Sequence, residues 1–216
     1  MKNAVIFDLD GTLLNTLDDL LDSTNYALQC CSFPTRSYEE VRSFVGNGIR
    51  LLIERAVPSY ATKEEIDKCF NIFKEYYSTH NMVKTAPYVG VIYLLTSLKE
   101  EGYKMAIVSN KYQQGVTDLA KNVFNSIVEI AIGEREGYKT KPAPDLVDLA
   151  LSIGEIEKEN AVYVGDSDVD VLTAKNSNLD MIAVTWGFRD KDFLMAHGAT
   201  RFIDKPEELL PLLKNM

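Results

Sequence analysis

The chain has 216 residues, 46% of them hydrophobic, enough for a buried core in one domain or in two small ones. Its formal net charge of -9 and pI near 4.8 argue against a nucleic-acid or anionic-membrane surface, which needs clustered Lys and Arg. No apolar run approaches the roughly 20 residues of a membrane span, and the N-terminus enters a strand with no signal segment, so the cytoplasm is the expected address.

The first element is the apolar run Ala4-Val5-Ile6-Phe7, a strand leading into Asp8-Leu9-Asp10-Gly11-Thr12. Residues two apart on a strand point the same way, so Asp8 and Asp10 can face one reacting group, and Gly11 permits the turn that follows. Two carboxylates this close resist simultaneous ionisation unless a cation, a shared proton or both relieve them. The period then becomes helical for about seventy residues. Leu17, Leu20, Leu21, Ala27 and Leu28 make one stripe; Ile49, Leu52, Ile53, Ala56 and Val57 a second; Ile66, Cys69, Phe70, Phe73, Tyr76 and Tyr77 a third.

Pro87-Tyr88-Val89-Gly90 closes that block, and helix and strand alternate afterwards. The spacing predicts helix 90–101 closed by Gly102, strand 104–109, helix 115–124, strand 127–132, helix 144–153 closed by Gly154, strand 161–165, helix 169–177 and strand 181–185. The expected fold class is α/β, a doubly wound parallel sheet (a Rossmann-like core) with an inserted all-helical cap. Residues 1–14 and 84–216 form the core and 15–83 the cap, placed to close over the first motif as a lid. Ligands of such sheets bind beyond the carboxyl ends of the strands, where the strand order reverses, and Asp8, Ser109 and Asp166 fall at such ends.

Three cysteines, Cys30, Cys31 and Cys69, suit neither a disulfide framework nor zinc spacing, and they read as reduced, mostly buried packing residues. The two histidines, His80 and His197, lie outside the motifs, so carboxylates must carry the chemistry. Gly46-Asn47-Gly48 lacks the third glycine of a dinucleotide fingerprint. The run from Asp166 to Asp170 lacks the glycine and glutamate of a calcium loop, having Val171 and Ser177 there instead.

Asp8-Leu9-Asp10-Gly11-Thr12, Ser109-Asn110-Lys111, Lys139-Thr140-Lys141-Pro142 and Gly165-Asp166-Ser167-Asp168-Val169-Asp170, in that order across nearly the whole chain, resemble the haloacid dehalogenase-like hydrolase superfamily, whose members are mostly phosphatases. The resemblance implies Asp8 as a nucleophile that forms an aspartyl-phosphate, and Asp10 as the acid and then the base. It implies Thr12, Ser109 and Asn110 as contacts to phosphoryl oxygens, with Lys141 balancing charge. Mg2+ would be held by Asp8, the Asp10 carbonyl and Asp166, supported by Asp170 one helical turn on; Asp168 is expected to cap that helix.

The segment 44–56, with Val45-Gly46-Asn47-Gly48 opening a helix, looks like the cap of phosphoglycolate phosphatases, and Asn47 and Arg50 become candidates for a second anionic group. Pro87-Tyr88-Val89-Gly90 and Val184-Thr185-Trp186-Gly187 agree with that branch. The implied partner is a small phosphorylated metabolite, with no nucleic acid and no membrane, and the chain a monomer or homodimer. Rival readings are a sugar-phosphate mutase on the same core, or a phospho-accepting regulatory module, which would need no lid. A dehalogenase has no use for Asp10 or magnesium.

Overall fold

The computed structural model describes residues 2–125 and 127–216. In chain order the strands are β1 (Ala4–Phe7), β2 (Leu14–Asn15), β3 (Ala86–Pro87), β4 (Lys104–Tyr112), β5 (Ile130–Glu134), β6 (Ala161–Gly165), β7 (Asp180–Val184) and β8 (Phe202–Ile203). The α-helices are α1 (Leu17–Cys30), α2 (Tyr38–Phe44), α3 (Ile49–Ala56), α4 (Lys63–His80), α5 (Val91–Glu100), α6 (Gln113–Phe124), α7 (Asp145–Ile153), α8 (Asp168–Asn176), α9 (Lys191–Ala196) and α10 (Leu209–Lys214). The chain divides into two compact units, Met1–Leu14 with Pro87–Met216, and Asn15–Ala86.

In the first unit the described residues form a six-stranded sheet of order β5-β4-β1-β6-β7-β8, parallel throughout. The period of two along the strands explains the helices on both faces. Val5, Phe7, Ile107, Val162 and Val164 join Leu94 and Leu98 of α5, Leu119 and Phe124 of α6, and Leu209 and Leu213 of α10 in one cluster. Ala4, Ile6, Ala106, Val108 and Tyr163 join Leu146, Val147, Ala150 and Leu151 of α7 in another. The sheet continues from β1 into β4 on one side and β6 on the other, so chain reversals flank the end of β1.

Three stretches depart from the sequence expectations. The strand expected at 127–132 is β5 at Ile130–Glu134: Asn125, with φ 43°, turns the chain out of α6, and Val128 packs into the core from an irregular connection. Strand β4 runs on to Tyr112, with its register against β5 shifting between Val108 and Tyr112. Beyond residue 185 the chain adds α9, the two-residue β8 and α10, elements too short to produce a periodic signal.

The second unit is helical. Ser37 and Thr62 open α2 and α4 with capping boxes to Glu40 and Glu65, and α1 packs along α4. Its boundary lies after residue 86 rather than 83, because buried Asp19 on α1 accepts hydrogen bonds from the Lys84 amide (2.9 Å), the Thr85 amide (2.9 Å) and the Thr85 hydroxyl (2.8 Å). Cys69 is buried, Cys31 partly so, but Cys30 is exposed, so only part of the cysteine expectation matches; all three are free thiols. Among the described residues no helix is long and apolar enough to cross a membrane.

Candidate active site

The site is assembled wholly within the α/β unit. The Asp8 amide continues the sheet by donating to the Val164 carbonyl (2.9 Å), so the carboxylate is delivered at the end of the central strand. The chain then folds back tightly: the Leu9 carbonyl accepts from the amides of Leu13 and Leu14, both at 3.0 Å, and Gly11 takes φ +94°. Asp8 and Asp10 flank buried Leu9 in the chain, with Asp8 buried and Asp10 partly open.

Lys141 enters from the loop before α7. Its ammonium lies 2.6 Å from Asp8 Oδ1, 2.8 Å from Asp170 Oδ1 and 2.9 Å from the Tyr163 hydroxyl. Tyr163, which sequence reasoning passed over, accepts from Lys141 and donates to Asp170 Oδ1 at 2.9 Å. Its signal was present: a phenol in the middle of an apolar strand buried on both faces needs a polar partner. Burial acts against the Lys141 charge, yet Asp170 and Asp8 outweigh it and hold the lysine well above its ordinary pKa. The Asn110 side-chain amide donates to the Lys141 carbonyl at 3.0 Å and so fixes the loop.

Asp166, after β6, is clasped on both carboxylate oxygens. Thr12 donates its hydroxyl to Oδ1 (3.1 Å) and the Phe188 amide donates to Oδ2 (2.7 Å). Thr12, expected on the phosphoryl group, therefore has its hydroxyl proton on Asp166 in this structure. A Cβ on Gly11 or Gly187 would lie 2.3 Å from the Asp166 side chain, so glycine on both sides makes its room.

Asp170 holds the other end of the network. Its Oδ2 accepts from the amides of Asp166 (3.2 Å) and Ser167 (3.1 Å) and from the Ser167 hydroxyl (2.6 Å). Ser167, not Asp168, caps α8, in a capping box with Asp170. With five donors on its two oxygens, Asp170 is a support for Lys141 and for the Asp166 loop rather than an open ligand.

Asp8, Asp166 and Asp170 form a cluster whose carboxylate oxygens lie within 4.8 Å of one another. Burial, reinforced by Asp170 and Asp166 and opposed by Lys141, drives Asp8 well above the usual carboxylate range. Burial and Asp170 push Asp166 up to about 7, against the pull of the Phe188 amide, Thr12 and Lys141. Three buried carboxylates against one ammonium leave negative charge uncompensated, and an all-oxygen donor set suits a hard divalent cation such as Mg2+. The residues present fit that ion: Asp8 and Asp166 with the Asp10 carbonyl would hold it.

Strand β4 supplies the remaining side chains. Ser109 Oγ accepts from the Lys111 amide (3.1 Å) and makes a long contact of 3.4 Å to Asp10 Oδ2. Lys111 is a second residue missed by sequence reasoning: its ammonium is 3.0 Å from Asp10 Oδ1, with the side chain only 3% exposed.

In the helical unit, Gly48 (φ +84°) opens α3. Arg50 donates through Nε to Glu54 (2.6 Å) and through Nη1 to Asp67 (2.5 Å), and it lies 5.4 Å from the centre of the Phe70 ring. Asn47 Oδ1 accepts from Arg55 at 2.9 Å. Both candidates from the sequence are thus engaged by neighbours of their own unit.

A buried aspartate at the end of the central parallel strand, a lysine on its carboxylate and a carboxylate cluster across β6 define a hydrolase site of one class. The sequence profile of the haloacid dehalogenase-like hydrolases matches residues 5–184, and the chain belongs to that family, as an enzyme of its phosphatase branch. It is 32% identical to phosphoglycolate phosphatase 1 of Pseudomonas aeruginosa, over 98% of this chain and 79% of that protein. It is 27% identical to pyrophosphatase PpaX of Bacillus cereus, over 99% and 97% of the two chains. The crystal structure of a candidate phosphoglycolate phosphatase from Lactobacillus delbrueckii subsp. bulgaricus superposes with a TM-score of 0.94 at 34% identity, covering 99% of both chains.

Proposed function

We propose that this chain is a magnesium-dependent phosphomonoester hydrolase that works through an aspartyl-phosphate on Asp8, with phosphoglycolate or a similar small phosphoester as substrate. The observation that carries the reading is the buried Asp8 carboxylate bonded to Lys141, with Asp10 two residues on and itself only partly buried. In the first step an Asp8 oxygen bonds to phosphorus while the bond from phosphorus to the leaving oxygen breaks, and the Asp10 carboxyl proton passes to that oxygen. In the second, Asp10 takes a proton from water as its oxygen attacks phosphorus and releases Asp8. Lys141 offsets the charge gathered on Asp8 and the phosphoryl group throughout. Bound Mg2+ would supply the remaining positive charge at the phosphoryl oxygens.

The substrates named for two of the relatives share one feature: glycolate and phosphate, as leaving groups, each carry negative charge of their own. Turnover of phosphoglycolate, pyrophosphate, ethyl phosphate and p-nitrophenyl phosphate, with and without magnesium, tests the reading; no release of phosphate from any of them overturns it. Chelation is expected to abolish activity and magnesium to restore it, whereas calcium, larger and with more ligands, is expected to support less than about a tenth of the rate. Comparable rates with calcium would contradict the proposed role of the ion.

Within the helical unit the same reading assigns Asn47 and Arg50 to the substrate's second anionic group. Arg50 would have to exchange Glu54 or Asp67 for that group, so Arg50→Ala is expected to lower kcat/KM for phosphoglycolate by only about 1 kcal/mol. For p-nitrophenyl phosphate, which lacks a second anion, the change should be smaller still. Equal losses on both substrates would leave Arg50 as a strut between α3 and α4.

A further inference from the structure

Lys111 is a buried cation that the hydrolytic steps leave unused. Three features of the chain place it. The register shift in β4 between Val108 and Tyr112 breaks the regular pleat where Ser109, Asn110 and Lys111 leave the sheet, and such irregularities re-aim side chains at strand ends. Gly133 on β5 admits this backbone, since a Cβ there would come within 2.6 Å of the Lys111 carbonyl. The ammonium then stands 3.0 Å from Asp10 Oδ1, in a side chain 3% exposed beside a carboxylate 16% exposed.

A lysine withdrawn this far from water needs a partner, and the partner here is the group assigned to the leaving oxygen. An oxygen that receives a proton from Asp10 must come within about 3 Å of its carboxylate. When the proton comes from Oδ1, the oxygen that Lys111 bonds, the leaving oxygen therefore comes within about 6 Å of Lys111, the sum of two hydrogen-bond lengths. A carboxylate or phosphoryl group attached one or two bonds beyond that oxygen spans the remaining gap and can take a charge-assisted hydrogen bond from the ammonium. A neutral alkyl leaving group offers it nothing. We infer that Lys111 is a specificity-determining residue, selecting phosphate esters and anhydrides whose leaving group carries its own negative charge. The inference rests on the hydrolytic reading and names the substrate class for it.

The test compares kcat/KM for phosphoglycolate and for ethyl phosphate, which lacks the carboxylate, using the full chain with magnesium. Wild type is expected to prefer phosphoglycolate by at least about tenfold. Lys111→Met, which also loosens Asp10, should slow both esters but shrink that preference by about tenfold or more, whereas Lys111→Arg should keep it within about threefold. Melting curves show whether each variant is folded; if Lys111→Met is not, Lys111→Gln, which keeps a donor for Asp10 without the charge, is measured in its place. Hydrolysis of both esters by wild type with no preference, or equal losses on both in the uncharged variant, would overturn the role of Lys111 and leave the hydrolase reading standing. No hydrolysis of any ester by wild type would overturn both.

Discussion

Asp8→Asn is expected to reduce steady-state phosphatase turnover by at least about four orders of magnitude while leaving the protein folded. The amide keeps the shape of the carboxylate and its oxygen can still accept from Lys141, which retains Asp170 and the Tyr163 hydroxyl. What disappears is the anionic carboxylate oxygen that attacks phosphorus. Stability should hold or rise slightly, because Asp8 is pushed well above the usual carboxylate range by burial, Asp170 and Asp166, and its replacement removes one of three mutually repelling groups. Thermal melts check the fold, and an acid quench after a single turnover checks for protein-bound phosphate in wild type and its loss in the variant. Near-normal turnover by folded Asp8→Asn protein would rule out covalent catalysis at this position.

Asp170→Ala is expected to be the most destabilising single change in the site, by about 3–5 kcal/mol. Its oxygens serve Lys141, Tyr163, the amides of Asp166 and Ser167, and the Ser167 hydroxyl, all in a buried setting. Removing it relieves some repulsion on Asp8 and Asp166, an opposing effect, but leaves two backbone amides and half of the lysine's pairing without acceptors. Orphaned buried donors cost more than the repulsion returns, because Lys141 already offsets much of the latter. For a chain of this size the loss corresponds to a melting temperature lower by roughly 6–20 °C. Asp170→Asn should rescue little, since donors face both carboxylate oxygens and the amide nitrogen must meet one set of them. Wild-type melting of Asp170→Asn would show that the network does not hold the fold.

Much of the α/β unit was legible because its signals are local. The apolar runs of β1, β4 and β6 are buried on both faces and end in polar residues, and Gly102, with φ +80°, turns the chain out of α5, whereas after α7 the left-handed residue is Glu155 (φ 47°) rather than the expected Gly154. The five-donor saturation of Asp170 was not legible, since it joins residues 141, 163, 166, 167 and 170, and spacing along the chain reports only the last three. For Lys111 the strand was expected to stop at residue 109; the irregular extension that aims the lysine at Asp10 depends on Gly133 of a neighbouring strand. Arg50 shows the same limit from the other side: an arginine after a glycine loop suggested an anion site, and spacing along the chain gave no sign that helix packing brings Asp67 of α4 against it.

By itself the sequence determined the class of fold, the strand ends that carry carboxylates and the insertion of a helical block after the first of them, since these follow from periodicity and from residues adjacent in the chain. Tertiary structure decided which charges meet. Asp8 lies 133 positions from Lys141 and Asp10 101 positions from Lys111, separations across which propensity and pattern carry no information. Those pairings arise only when β4 and β6 flank β1 in one parallel sheet, because the sheet aligns their carboxyl ends and excludes enough water for opposite charges to find each other.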